Sequence, residues 1–64
     1  MSTMEVAAKT ERISRLQEEM ESIHHANEQY WRQANQSPAA KAHYYRRQER
    51  LEEIRRELSE LQKA

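Results

Sequence analysis

Cysteine, glycine, phenylalanine and aspartate are all missing from this chain, and proline occurs once. Without cysteine there is neither a disulfide framework nor a thiolate metal site. Without glycine there is no Gly-rich loop to cradle a phosphate. The serines at 2, 14, 22, 37 and 59 have no suitably spaced base and orienting carboxylate to activate them, so no catalytic residues and no cofactor are expected. No apolar run approaches the roughly 20 residues of a membrane-spanning helix. The start, Met1-Ser2-Thr3-Met4-Glu5, has neither the basic opening nor the apolar stretch of a signal peptide, so a soluble cytoplasmic protein is expected.

What the chain does contain is charge in register with a sparse set of apolar residues. Of 64 residues, 34% are charged and 36% hydrophobic, with a formal net charge of zero. Such a composition signals disorder when the apolar residues are scattered. Here they keep a heptad repeat. Residues 6 to 34 place Val6, Ile13, Met20, Asn27 and Ala34 at one core position and Lys9, Leu16, Ile23 and Tyr30 at the other. Residues 40 to 61 place Tyr44, Leu51 and Leu58 at the first, and Ala40, Arg47, Ile54 and Leu61 at the second. Continuing the first frame through Pro38 displaces Ile54 and Leu61 to the flank of the stripe. A single long helix therefore needs a frame shift at the proline, and a hairpin needs none.

The expected fold is all-α: an antiparallel, coiled-coil-like helical hairpin, one domain over 1–64, with a helix over 3–34, a turn over 35–37 and a helix over 38–62. Ser2 and Glu5 have the spacing of a capping box at the first helix. Ser37 suits the N-cap and Pro38 the first position of the second, where proline's missing N–H costs nothing. Folding the chain at Pro38 pairs Ala34 with Ala40, Tyr30 with Tyr44, Asn27 with Arg47, Ile23 with Leu51, Met20 with Ile54, Leu16 with Leu58 and Ile13 with Leu61. The Asn27/Arg47 layer interrupts an apolar seam, and single polar core layers of this kind set register.

A hairpin this small leaves half of each apolar stripe uncovered, and a homodimeric four-helix bundle or docking on another protein is the usual remedy. Most flanking positions are polar. Ala26, Trp31 and Ala42 widen the apolar face near the turn, so the expected homodimer packs there or along one shared face. Helix one is acidic and helix two basic, which suits pairing within or between subunits. His24 and His25 with Glu21 and Glu28 form the only metal-like cluster. It lies off the seam with no facing carboxylates, and reads as solvated neighbours, so metal is not expected.

Every aromatic residue, Tyr30, Trp31, Tyr44 and Tyr45, lies close to the turn, amid Arg32, Lys41, Arg46, Arg47 and Arg50. Trp31, Arg32, Lys41, Tyr45, Arg46 and Arg50 are the candidate surface for a partner, because exposed Trp, Tyr and Arg dominate binding hot spots and stack on nucleic-acid bases. In its outline of helix, short turn and helix the chain resembles the Rop class of RNA-binding hairpin dimers. The resemblance implies a dimeric bundle and, as the alternative to a protein-interaction or assembly module, RNA or DNA binding by these basic and aromatic residues.

Overall fold

The structure is a computed structural model that describes residues 3–63. Two helices, α1 (Thr3–Arg32) and α2 (Pro38–Gln62), pack against each other as a hairpin. The result is a rod of 51 × 15 × 14 Å.

α1 ends two residues before its heptad pattern does, and the connection spans 33–37 rather than 35–37. The cause is local. The Gln33 N–H turns back to the Tyr30 carbonyl at 3.3 Å, tightening the last turn. The Gln36 side-chain amide then donates to the Tyr30 carbonyl at 3.1 Å and the Gln33 carbonyl at 3.0 Å. Helix ends leave carbonyls without intrahelical partners, and glycine in a left-handed conformation is the common way to satisfy them. This chain has no glycine, and no described residue has a positive φ. The glutamine side chain does the capping instead. As a consequence Ala34 leaves the seam and is exposed, and the expected Ala34/Ala40 pair is not part of the packing.

α2 begins where proline and serine place it. Ser37 is extended (φ −72°, ψ 161°) and its Oγ accepts from the Ala40 N–H at 3.1 Å, with Pro38 in the first turn. Ser2, half of the expected capping box on α1, lies outside the described residues.

Between the helices Leu16, Ile23, Leu51 and Ile54 form the buried core, with Met20, Leu58 and Leu61 packed against it. Ile54 is fully enclosed and Leu16 nearly so. Tyr30 closes the seam at the turn, stacked on Tyr44 with ring centroids 4.8 Å apart. Between this stack and the aliphatic core, Arg47 Nε donates to Asn27 Oδ1 at 2.7 Å, and Asn27 Nδ2 donates to Gln48 Oε1 at 3.1 Å. No buried side-chain polar atom among the described residues lacks a partner. The polar layer thus carries no unsatisfied group.

Candidate functional site

The two long edges of the rod differ in chemistry. In an antiparallel pair, the positions flanking the seam on one side meet their counterparts on the other helix. On one edge these are Arg12 and Glu19 of α1 with Arg50 and Glu57 of α2. Arg12 Nε and Nη2 both donate to the Glu57 carboxylate, the second at 2.9 Å. Arg50 Nε and Nη2 grip Glu19 in the same way, the second at 2.9 Å, and Arg50 Nη1 reaches Glu53 at 3.1 Å. Forked guanidinium–carboxylate pairs fix geometry more than they add stability when they face water.

Hydrogen bonding from Arg50 holds the Glu19 carboxyl below its ordinary range, and Arg12 does the same to Glu57. Because these groups bind protons less readily folded than unfolded, their contribution is present above the unfolded value of about 4.3 and drains as pH falls through the lower folded values. The urea midpoint is expected to fall between pH 6 and pH 3, and the fall to shrink in Glu19→Gln/Glu57→Gln. An unchanged native midpoint would show that the forks are not formed in solution.

The opposite edge is free of formal charge along α1. Its positions, alternating by four and three residues, are Val6, Thr10, Ile13, Gln17, Met20, His24, Asn27 and Trp31. Val6 is 48% exposed and Trp31 64% exposed, while Ile13, Met20 and Asn27 are half-buried. Along α2 the same edge presents Lys41, Gln48, Arg55 and Gln62, again with no carboxylate.

Around the turn, the aromatics form one connected set. Trp31 meets Tyr30 and Tyr44 edge-on at 5.1 and 5.4 Å, and Tyr44 meets Tyr45 edge-on at 5.7 Å. Tyr30 is buried and Tyr44 half-buried, whereas Trp31 and Tyr45 are the exposed pair. Helical phase places Trp31, Lys41 and Tyr45 toward the uncharged edge. Arg32 projects from the outer face of α1 and Arg46 from the other flank of α2, so the candidate partner residues do not form one patch. Arg50 is engaged with two carboxylates, and Arg47 with Asn27. A shallow depression beside the turn is lined by Ala26, Tyr30, Gln33, Ala40, His43 and Arg47.

Reading the charges helix by helix missed a sharper division, along the rod. Residues 29–48 contain no acidic side chain and carry Arg32, Lys41, Arg46 and Arg47, a charge of +4. Since the whole chain sums to zero, the remainder carries −4. The hairpin turns this into a rod with a basic, aromatic tip, an acidic middle over residues 15–28 and 49–53, and a nearly neutral open end. A scan for acid-free windows would have found it.

His24 and His25 are exposed, and no group of three or more His, Cys, Asp or Glu side chains among the described residues is placed to hold a metal ion. No helix among the described residues is long and apolar enough to cross a membrane. Comparison with known protein families, curated proteins and solved structures found no match.

Proposed function

We propose that this chain is a small non-enzymatic interaction or assembly module: a helical hairpin that self-associates into a four-helix bundle. The observation that carries this reading is the uncharged edge of α1. In a chain where 34% of residues are charged, Val6 to Trp31 along that stripe carry none; Asn27 and Trp31 reach α2 within the hairpin, while Val6, Thr10, Gln17, His24 and most of Trp31 stay exposed. The other edge is occupied by its own ion pairs. Among the described residues only Leu16, Ile23, Tyr30, Leu51 and Ile54 are buried, a thin core for an independent domain, and covering the open edge enlarges it. Sedimentation equilibrium tests the proposal through a particle of two chains; a single-chain mass would overturn it.

A second reading, binding of RNA or DNA at the tip, is favoured by one observation. Trp31 and Tyr45 are 64% and 66% exposed inside a stretch that lacks any carboxylate. On this reading the exposed Arg32, Lys41 and Arg46 meet phosphates while the rings stack on bases. Adding a single-stranded RNA oligomer to the sedimentation experiment separates the two: binding that falls steeply with salt supports the second reading, and a dimer indifferent to RNA supports the first.

A further inference from the structure

We infer that the depression beside the turn is a binding site for a phosphate monoester, held by Arg47 with His43 and Gln33. It lies on the edge of the rod that the ion pairs close, away from the uncharged edge. Along that edge the flanking positions recur every heptad, and each meets its counterpart on the other helix. Arg12 faces Glu57 and Glu19 faces Arg50, two rungs each made of one acid and one base. One repeat nearer the turn, the rung consists of Ala26 and His43. The base is kept, and alanine stands where the other rungs have an acid. A depression of about 200 Å³ occupies that place, lined by Ala26, Tyr30, Gln33, Ala40, His43 and Arg47.

The donors around the depression are unengaged. Arg47 uses only Nε, on Asn27, and no described residue takes its Nη1 or Nη2. No buried side-chain polar atom among the described residues lacks a partner, so these two nitrogens of a half-buried residue keep access to solvent. The His43 ring and the Gln33 side-chain amide are exposed and have no partner among the described residues. On the same edge Glu19 is already gripped by Arg50 and cannot serve them. A guanidinium fork matches the paired oxygens of a phosphate or a carboxylate. Charge selects the phosphate monoester. It carries about −1.5 to −2 at pH 7, where a carboxylate or a phosphodiester carries a single charge, and the surrounding residues 29–48 hold +4 with no acid among them. The site is thus distinct from a nucleic-acid strand stacked on Trp31 and Tyr45, which lie toward the other edge.

Methyl phosphate is the probe, titrated into the native chain at constant ionic strength and followed through the side-chain NMR resonances of His43, Gln33 and Arg47. The expected result is saturable movement of these three, with acetate and dimethyl phosphate each binding about tenfold more weakly or worse. Ala26→Glu supplies the acid absent from the third rung, and should weaken methyl phosphate binding by about tenfold or more with the helical circular dichroism unchanged. His43→Ala, at an exposed position, should also weaken it without touching the Asn27 layer. Binding unchanged in both variants would overturn the site, as would movement spread evenly over Arg32, Lys41 and Arg46, or none at all. Dimethyl phosphate binding as tightly as methyl phosphate would overturn the monoester and assign the depression to a nucleic-acid backbone. Acetate binding as tightly would overturn phosphate in favour of a carboxylate.

Discussion

Ile54→Ala is expected to abolish cooperative folding of the hairpin at 25 °C. Ile54 has 0% exposure and sits among Leu16, Ile23 and Leu51, the whole of the aliphatic core. Truncating a buried isoleucine to alanine costs about 2–5 kcal/mol, through lost transfer energy and the cavity left behind. A domain of 64 residues has about 3–10 kcal/mol in total at the usual stability per residue, and this core lies at the thin end of that range. Two helices joined by a short turn have few neighbouring side chains to collapse into a void. Far-UV circular dichroism against urea should show loss of the helical plateau or of a sigmoidal transition. An exposed control, Gln29→Ala, should move the midpoint by no more than about 0.5 kcal/mol. An Ile54→Ala midpoint as close to native as the control's would mean that the seam does not hold the fold.

Trp31→Ala, which removes a tryptophan from each chain of a two-fold dimer, should weaken self-association by roughly several hundred-fold while leaving the hairpin helical. Within one hairpin Trp31 makes only edge contacts with Tyr30 and Tyr44 and is 64% exposed, so its removal leaves no cavity in the core. At an interface a buried tryptophan is the commonest hot spot, with truncation costs of about 2 kcal/mol or more, and 1.4 kcal/mol is a factor of ten. Sedimentation of the variant should show the dimer dissociating at correspondingly higher concentration. Tyr45→Ala, further from the uncharged stripe, should have a smaller effect. If Trp31→Ala leaves the oligomer intact and abolishes RNA binding, the tip is a nucleic-acid surface and the second reading replaces the first.

What was legible in the sequence follows the heptad. The stacking of Tyr30 on Tyr44 and the hydrogen bond from Arg47 to Asn27 come from folding two registers about Pro38, because a 3.5-residue repeat fixes which side chains face inward. The end of α1 was less legible. Ala34 continues the repeat and favours helix, and what ends the helix is the Gln36 side chain reaching back to the carbonyls of Tyr30 and Gln33. Periodicity carries no trace of that contact. Arg50 illustrates a different limit. Taken alone, it is one more cation near the aromatics and a reasonable ligand for phosphate. Placed in three dimensions it lies beside Glu19, 31 residues away in sequence, and its guanidinium is already taken. The flanking positions are polar one at a time, and only pairing them across the hairpin reveals one edge closed by ion pairs and another free of charge along α1.

Sedimentation equilibrium of the native chain across a hundredfold range of concentration addresses the central claim, that the uncharged edge is completed by a second copy. The chain's mass is 7.7 kDa. The account predicts that the average mass rises with concentration and levels off at twice that value, without higher species. A helical particle of single-chain mass at every concentration would contradict it.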